Sequence, residues 1–506
     1  MSPALLLILV VSCSLGVNNV RGYNFSPADA TVAELQQALK QNTITSRQLV
    51  EYYLSQILEL NSRVRGIIEV NPDVFTLADQ ADSVRKSGVP LSGLHGIPIL
   101  LKDNISTKDK LNTTAGSFAL LGSVIPRDAG VAAKLRAAGA IILGKAALSE
   151  WAYYRSSTAP NGWSGRGGQV LNPYVMSADP CGSSTGSAVS VATNMAAISL
   201  GTETDGSIIC PSAYNSVVGI KPTLGLTSRA GVVPISPRQD TVGPICRTVS
   251  DAVYVLDAIV GYDPYDNATV AASKFIPPGG YIQFLNPSGL KGKRLGIVRS
   301  PFFDFPNGSF IAQSFEKHFQ ILSQNGAILV DNLQIANISV IQNGVSEGIA
   351  LATEFKIALS SYLSGLIASP IRTLANAISF NLNYSTLEMI PQYGQDVFLQ
   401  AENTTGTGDP AYQAALANMQ SLTANGVVKL MTEYNLDALI TPNATVTSVL
   451  AIGGFPGISV PAGYGLDGSP FGICFSGLQG YEPRLIEIAY AFEQYTKIRK
   501  PPSYLV

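Results

Sequence analysis

The stretch from residue 127 to residue 146 decides the fold: RDAGVAAKLRAAG (127–139) is followed at once by AIILGKA (140–146). Apolar residues at helical spacing, a glycine stop and a short apolar run indicate a helix that leads into a buried strand. The same order returns twice, at IAQSFEKHFQILSQNG then AILV (311–330) and at AALANMQSLTANGVVKLMTEY then LDALITP (414–442). This alternation predicts an α/β fold in which helices cover a sheet.

The rest of the chain indicates one large α/β domain, because no Pro- or Ser-rich linker long enough to divide the 506 residues is present. Near the start, Thr31 and Ser46 are predicted to cap two helices. The range 92–250 is dense in Gly, Ser, Thr and short apolar strands, so we expect the chemistry there. The range 265–420 has longer helical stretches and predicts a peripheral helical layer or lid.

Composition excludes several classes of protein. With 46% hydrophobic and 13% charged residues, the chain is expected to form a large globular core. The formal net charge of −2 leaves no excess of basic residues to neutralise a phosphate backbone, so nucleic acid is not an expected partner.

The N-terminus, MSPALLLILVVSCS, carries an apolar run that ends in small residues, which is typical of a secretory signal peptide. We expect a leader over residues 1–22, cleaved after Ser14 or Gly16, and a domain over 23–506. The alternative is a short uncleaved anchor or disordered tail. The run is shorter than the roughly 20 apolar residues that span a bilayer, so no stable membrane insertion is expected. A secretory route implies an extracellular, cell-wall or vacuolar location.

Potential glycosylation sites fit that route, since nine Asn-x-Ser/Thr triplets lack proline at the middle position. Asn104 is expected to be buried and unmodified because it lies beside Lys102, a candidate catalytic base. The triplets begin at Asn24, Asn104, Asn112, Asn267, Asn307, Asn337, Asn383, Asn403 and Asn443.

Four cysteines remain after the leader, at Cys181, Cys210, Cys246 and Cys474. They are too sparse for a disulfide scaffold and have no metal-ligand spacing. Free buried thiols are the favoured interpretation, and a disulfide stays open as the alternative in an oxidising compartment.

Lys102 lies in the segment GIPILLKDN (96–104), directly after an apolar run. Burial disfavours the charged form of lysine and lowers its pKa, which would let a neutral amine act as a base near neutral pH. The alternative is a lysine that extends outward to solvent beside Asp103.

Ser183 and Ser184 lie in CGSSTGSA (181–188), where Gly182 to Gly186 also fits the Gly-x-Ser-x-Gly elbow around Ser184. That elbow requires a histidine base, and the chain contains only two histidines. His95 precedes the motif, and His318 lies on a helix expected to face the surface. A hydrolase using these serines therefore needs another base, and a desolvated lysine is the natural candidate.

The segment GTETDGSIICPS (201–212) supplies the third group. Around its Asp-Gly-Ser turn, the backbone N–H groups of Thr204, Asp205, Gly206 and Ser207 could converge on one oxygen as an oxyanion hole. Three such segments in one chain are stronger evidence than any one of them.

Together these segments resemble the amidase signature family. GIPILLKDN resembles its lysine motif, CGSSTGSAVSVA and GTETDGSIICPS resemble its two serine motifs, and SRAGVVPISPRQDTVGPICRTVSDA and FPGISVPAGY continue the likeness. The similarity extends over about residues 30 to 500, with the plant amidases as the closest pattern and bacterial peptide amidases further off. It implies a single domain around a twisted mixed sheet flanked by helices. Cys181 stands where the family usually has glycine.

The resemblance implies a Ser–Ser–Lys triad of Lys102, Ser183 and Ser207, with a cis peptide before Ser183 and no metal or organic cofactor. Ser207 would attack an amide carbonyl, Ser183 would relay the proton to Lys102, and water or an amine would accept the acyl group. The substrate would be a C-terminal peptide amide or a small acyl or aryl amide.

Further residues are predicted to surround the site. Thr113, Thr114 and Ser117 line or brace it, or bond only to local backbone. Tyr153 and Tyr154 could form a substrate wall, whereas Trp151 is expected in the core.

Four alternatives to a hydrolase of linear amides stay open. They are an amide-forming acyltransferase with the same triad, a glutaminase-type subunit of a tRNA-dependent amidotransferase, a fatty-amide hydrolase with a membrane-binding helix, and a non-catalytic binding protein. Oligomeric state cannot be read from the sequence.

Overall fold

The computed structural model of the chain describes residues 25–88, 90–306 and 308–503, and its centre is a sheet. The leader predicted for residues 1–22, and the triplets at Asn24 and Asn307, lie outside the described residues. The strands are β1 (Ile67–Val70), β2 (Pro98–Lys102), β3 (Ile141–Ala146), β4 (Trp163–Ser164), β5 (Gly168–Gln169), β6 (Ile198–Glu203), β7 (Val218–Lys221), β8 (Thr241–Cys246), β9 (Arg294–Ile297), β10 (Ile328–Val330), β11 (Ala438–Pro442), β12 (Gly457–Tyr464) and β13 (Pro470–Ser476).

Eleven of these described strands form one mixed sheet in the order β1–β3–β2–β6–β8–β7–β12–β13–β11–β9–β10, while β4 and β5 pair separately. The β3–β2–β6 strands are parallel to one another, as are β11–β9–β10, and the pairs between these two groups are antiparallel. The sheet therefore confirms the predicted single α/β domain with a mixed sheet flanked by helices.

Helices pack on this sheet and extend beyond it. They are α1 (Val32–Lys40), α2 (Ser46–Val64), α3 (Val74–Lys86), α4 (Gly130–Ala137), α5 (Thr185–Ala192), α6 (Ile209–Tyr214), α7 (Val249–Ile259), α8 (Ala268–Ala272), α9 (Phe310–Gln324), α10 (Ile338–Gln342), α11 (Val345–Ser364), α12 (Leu374–Asn383), α13 (Ile390–Tyr393), α14 (Asp396–Glu402), α15 (Pro410–Thr423), α16 (Lys429–Glu433), α17 (Thr447–Gly453) and α18 (Glu482–Thr496). None of the helices within the described ranges is long and apolar enough to cross a membrane.

The helix-to-strand stretches of the sequence form the predicted elements, α4 into β3, α9 into β10, and α15 with α16 into β11. Thr31 caps α1 through a reciprocal pair of hydrogen bonds with Glu34, as its position predicts. The cap of α2 is Thr45 and not Ser46, because the Thr45 side chain accepts a hydrogen bond from the N–H of Gln48. Both helices then bury one apolar face against the core.

The range 265–420 only partly matches the predicted helical layer. Its strands β9 and β10 complete one edge of the sheet, so this range also belongs to the central layer. The helices α11, α12 and α14 form a second apolar cluster that encloses Trp151, whose ring lies 5.4 Å from that of Phe398. This second cluster includes residues that follow β2, β3 and β7.

Candidate active site

Lys102 is the last residue of β2, a strand buried along its whole length between the parallel strands β3 and β6. Its side chain is 0% exposed and therefore does not reach solvent. The outward-extending alternative is therefore wrong.

Four polar atoms surround the Lys102 amine. Its Nζ lies 2.7 Å from Ser183 Oγ, 3.0 Å from Ser184 Oγ, 2.9 Å from Thr202 Oγ1 and 3.1 Å from the Thr202 carbonyl oxygen. Asn104 donates from Nδ2 to the same Thr202 hydroxyl at 2.9 Å. The structure thus brings Lys102 and Ser183 together across 81 residues of sequence.

Burial lowers the pKa of Lys102 to about 7, against smaller opposing effects of the carboxylates of Glu203 and Asp240. A carboxylate in direct contact would hold the amine charged, but the contacts of Nζ are hydroxyls and a carbonyl. A substantial fraction of this lysine is therefore neutral near pH 7, which is the state a general base requires.

The hydrogen bonds around Ser184 assign the direction of the Lys102 lone pair. Ser184 Oγ donates to the Thr202 carbonyl oxygen at 3.0 Å, so it can only accept from the amine. A carbonyl oxygen also only accepts, and these two acceptors use both N–H groups of a neutral lysine. The lone pair is then left for a hydroxyl proton, and Ser183 Oγ is the nearest one.

Ser183 and Ser184 occupy the turn before α5, and the Gly182–Ser183 peptide is cis. The Ser183 carbonyl accepts from the N–H of Ser149 at 3.0 Å, which anchors this turn to the residues that follow β3. Ser184 lies at the N-cap of α5 and is fully buried. Its hydroxyl is committed to Thr202, which does not match the exposed serine of a nucleophile elbow.

Ser207 lies in the turn between β6 and α6, next to the Ser183 turn. The N–H of Ser184 donates to the Ser207 carbonyl at 3.1 Å, and Ser207 is 8% exposed. Within the described residues, the hydroxyls of Ser183 and Ser207 share no hydrogen bond with each other. A proton relay between them therefore requires the two hydroxyls to come within hydrogen-bond distance.

The turn from Thr204 to Ser207 is fixed at both ends. The Glu203 carboxylate accepts from the N–H groups of Ile208 at 2.6 Å and Ile209 at 2.8 Å, and Gly206 takes a left-handed φ of +80°. In the part of the chain that the structure describes, the N–H groups of residues 204 to 207 donate to no protein acceptor. This leaves donors available for a substrate oxygen, as an oxyanion hole requires.

Side chains outside the turn hold it from two directions. Thr204 Oγ1 donates to Asp240 Oδ1 at 2.6 Å, and Ser448 Oγ donates to Asp205 Oδ2 at 2.8 Å. Gln239 donates from Nε2 to Glu347 of α11. Glu347 joins the helical layer to this turn, and burial together with the nearby Asp205 raises the pKa of Glu347 to about 8.

Comparisons with known proteins assign the chain to a family. The amidase family model matches residues 48–453. The chain is 56% identical over 485 residues to a probable amidase of Arabidopsis thaliana, covering 95% of this chain and 93% of that protein. The chain belongs to the amidase signature family. It is accordingly an enzyme, an amidase.

Two other relatives bear on the chemistry of this amidase. The peptide amidase of Stenotrophomonas maltophilia has a structure with a TM-score of 0.88 at 41% identity, covering 94% of this chain and 99% of that one. A glutamyl-tRNA(Gln) amidotransferase subunit of Microcystis aeruginosa is 30% identical over 512 residues, covering 94% of this chain and 99% of that protein.

The two histidines of the amidase do not approach the serines. His95 bonds through Nε2 to the Ala81 carbonyl, and His318 through Nε2 to the Ala462 carbonyl. The expectation that His318 faces the surface is wrong, because its face of α9 packs on β12 and leaves it 6% exposed.

Thr113, Thr114 and Ser117 are buried braces in this amidase. Thr113 Oγ1 accepts from Lys145 Nζ at 2.9 Å, Thr114 Oγ1 donates to Asp103, and Ser117 Oγ donates to Glu388 at 2.9 Å. These contacts join the hydroxyls of Thr113 and Thr114 to a buried ionic network around Lys145 and Asp103.

The aromatic residues after β3 divide between core and surface. Trp151 is buried, as expected. Tyr154 packs against Phe355 with ring centroids 4.7 Å apart, which makes it part of the second apolar cluster, while Tyr153 is 39% exposed. Of the two tyrosines predicted as a substrate wall, Tyr153 is exposed and Tyr154 is half-buried.

Among the described residues, Cys181 and Cys210 form a disulfide, whereas Cys246 and Cys474 are free and buried. The favoured interpretation of free thiols is thus wrong for the first pair and confirmed for the second. Spacing in sequence could not select this pair, since the fold brings the two serine turns together.

Several residues around the site were not singled out from the sequence. Four of them lie within or beside the recognised motifs: Thr202, Glu203, Gln239 and Asp240. Their spacing in the sequence does not indicate which residues they contact. Asn104 was noted only as a glycosylation triplet, and it is buried as expected.

A cleft of about 560 Å³ opens between the 229–237 loop and α11. Asp240 lines it and also accepts a hydrogen bond from Thr204, so the cleft adjoins the turn from Thr204 to Ser207. Its lining does not include Lys102, Ser183 or Ser207.

Proposed function

We propose that this amidase hydrolyses linear carboxamides by acyl transfer to Ser207, with Lys102 as the base and Ser183 as the proton relay. The observation that carries the proposal is the Lys102 amine, buried without a carboxylate contact and 2.7 Å from Ser183 Oγ. The backbone N–H groups of Thr204, Asp205, Gly206 and Ser207 are the proposed oxyanion hole.

The reaction runs in two halves. Neutral Lys102 takes the proton of Ser183, Ser183 takes that of Ser207, and Ser207 Oγ bonds to the amide carbon. The same relay returns a proton to the nitrogen as the C–N bond breaks, because an amide anion is a very poor leaving group. Water then attacks the acyl-enzyme by the same route and releases the carboxylic acid.

For the substrate we propose a C-terminal peptide amide, with small acyl or aryl amides as the simpler members of the class. Support comes from the 41% identity to the peptide amidase of Stenotrophomonas maltophilia over nearly the whole chain. The test measures ammonia release from a panel of amidated peptides, with their free-acid counterparts as the control. Turnover of simple amides without turnover of any peptide amide would contradict this substrate class.

A fluorophosphonate probe tests the mechanism. We expect one adduct, located at Ser207 by peptide mass spectrometry, and we expect Lys102→Ala to abolish it. Ser184→Ala is the matched control, since this serine adjoins the same lysine and is not expected to react. An adduct at Ser184, or an active preparation that takes no label, contradicts the proposal.

One alternative has a specific observation in its favour, the 30% identity to a glutamyl-tRNA(Gln) amidotransferase component. Such a component would release ammonia from glutamine for use by a partner. Incubating the purified chain alone with glutamine, beside a peptide amide, distinguishes the two. An amide-forming acyltransferase is distinguished by adding an amine acceptor to the acyl-enzyme.

We propose in addition that the protein enters the secretory pathway. The predicted leader and the Asn-x-Ser/Thr triplets support this, and so does the Cys181–Cys210 disulfide, since disulfides persist mainly in oxidising compartments. N-terminal sequencing of the protein from a eukaryotic host should show cleavage, and glycosidase treatment should lower its mass. An intact N-terminus with no mass change would contradict the proposal.

A further inference from the structure

The disulfide joins the two turns that carry the proposed catalytic serines. Cys181 lies two residues before Ser183, and Cys210 lies three residues after Ser207, with Cα atoms 5.8 Å apart. The bridge is therefore adjacent in sequence to both hydroxyls of the proposed relay.

A second link runs in register with the bridge. The N–H of Ser184 donates to the Ser207 carbonyl at 3.1 Å. The disulfide and this hydrogen bond close a ring with the four residues 181–184 on one side and the four residues 207–210 on the other. Ser183 lies between Cys181 and Ser184 in the first segment, and Ser207 is the residue at which the hydrogen bond joins the second segment. The two links together therefore set the separation of the two turns.

Cys181 occupies a backbone conformation that does not suit it. Its φ of +53° lies in the left-handed region, which glycine adopts freely and side chains with a Cβ disfavour. Glycine would meet the local requirement at lower cost, yet a cysteine stands there. The side chain must then contribute something that glycine cannot, and the bond to Cys210 is that contribution.

Other contacts keep the turns folded without the bridge. Asn215 of the segment after α6 donates from Nδ2 to the Pro180 carbonyl at 2.7 Å, and Thr185 Oγ1 donates to the Cys181 carbonyl at 2.6 Å. Both cysteines are half-buried residues. Loss of the bridge should therefore loosen the relay and leave the fold intact.

We propose that the Cys181–Cys210 disulfide is a positioning element that holds the Ser183 turn against the Ser207 turn. This inference rests on the proposed function, since it assumes that the two serines exchange a proton. Without the bridge the hydroxyls spend less time within hydrogen-bond distance. Acyl transfer slows, and ground-state binding of the amide is retained.

The test is the double variant Cys181→Gly with Cys210→Ala, because glycine suits the left-handed φ at 181. We expect kcat to fall about 10- to 100-fold with KM changed less than about threefold, as for small misplacements of reacting groups. The rate of fluorophosphonate labelling at Ser207 should fall by a similar factor. The control is Cys246→Ala with Cys474→Ala, which removes the free thiols and keeps the bridge.

Reduction of the wild-type protein gives an independent measurement. Tris(2-carboxyethyl)phosphine and one water convert each bridge into two thiols and one phosphine oxide. Activity should fall by the same factor as in the variant, and the near-ultraviolet circular dichroism should stay native. The bridge-free variant should not respond to the reductant, whereas the free-thiol control should respond as the wild type does.

The outcomes separate the two proposals. Wild-type protein that hydrolyses amides but takes no label at Ser207 contradicts the proposed mechanism. Wild-type protein labelled at Ser207, together with a bridge-free variant whose kcat and labelling rate stay within twofold, contradicts only the positioning role. Loss of the native circular dichroism on both mutation and reduction also contradicts it, because the bridge would then serve the stability of the whole fold.

Discussion

Two buried lysines stand on neighbouring parallel strands and differ in what surrounds them. Lys102 ends β2, and Lys145 lies near the end of β3, opposite Leu101. Both are 0% exposed, and burial lowers their pKa values to about 7 and about 8. The amine of Lys102 meets hydroxyls that can exchange a proton, whereas that of Lys145 donates to Thr113 Oγ1 and to the Ile105 carbonyl at 2.6 Å.

The carboxylates near the two lysines also differ. Asp103 is the carboxylate that acts most strongly on Lys145, and its own Oδ2 accepts from Thr114 and from the N–H of Gly116. The carboxylates that raise the pKa of Lys102, those of Glu203 and Asp240, lie beyond hydrogen-bond distance of its amine. Burial alone therefore does not make a lysine a catalytic base. The amine must also contact a hydroxyl that can donate a proton to it.

Replacing Lys102 by Met should give the largest effect. The variant loses the proposed base, so kcat should fall by about 10³-fold or more, within the range that general bases contribute. An apolar side chain in a buried strand should leave the unfolding transition close to that of the wild type. Steady-state kinetics on a peptide amide measures the loss, and a kcat within tenfold of the wild type would show that another group is the base.

Replacing Lys145 by Met should have the opposite result. The Ile105 carbonyl would lose its donor, and Asp103 would lose the cation that lowers its pKa most, which should together cost about 1–3 kcal/mol of unfolding free energy. The kcat per folded molecule should stay within about threefold, since the two sites share no hydrogen bond. Urea unfolding measures the loss, and adding Asp103→Asn should recover part of it. A stable but inactive variant would remove the distinction between the two lysines.

The sequence contained enough to predict these two sites in part. The apolar run Ile97–Leu101 indicates that Lys102 starts inside the core, and the helix-to-strand order predicts the covered sheet. The contacts of Lys102 with Thr202 and of Lys145 with Ile105 were not predictable, because they join residues 100 and 40 positions apart through strand register. The burial of His318 has the same origin, since the sheet decides which face of α9 is covered.

The pH dependence of activity should follow the lower pKa of Lys102. Neutral amine is the active form, and protonation increases as the pH falls through about 7. Below that pH, kcat/KM should therefore drop about tenfold per pH unit, since this profile reports the free enzyme. A flat profile down to pH 5, at constant circular dichroism, would contradict Lys102 as the base.

Replacing Thr202 by Val should have the smallest effect on kcat. It is also the most specific test of how the contacts of Lys102 set its pKa. The variant keeps the volume and the carbonyl contact but removes the hydroxyl that lies 2.9 Å from Lys102 Nζ and accepts from Asn104. Losing one acceptor disfavours the charged amine, so the acid limb of the pH profile should move to lower pH. The kcat at high pH should fall only about three- to tenfold, because the amine is less well oriented.

Thr202→Ser is the matched control, because it restores the hydroxyl and should restore the position of the acid limb. A purely structural role for Thr202 would lower kcat in the Val variant without moving that limb. A limb that moves to higher pH would mean that the hydroxyl donates to Lys102 and holds it neutral. The sign of the shift therefore decides whether the pocket of Lys102 lowers its pKa through burial alone or also through a donated hydrogen bond.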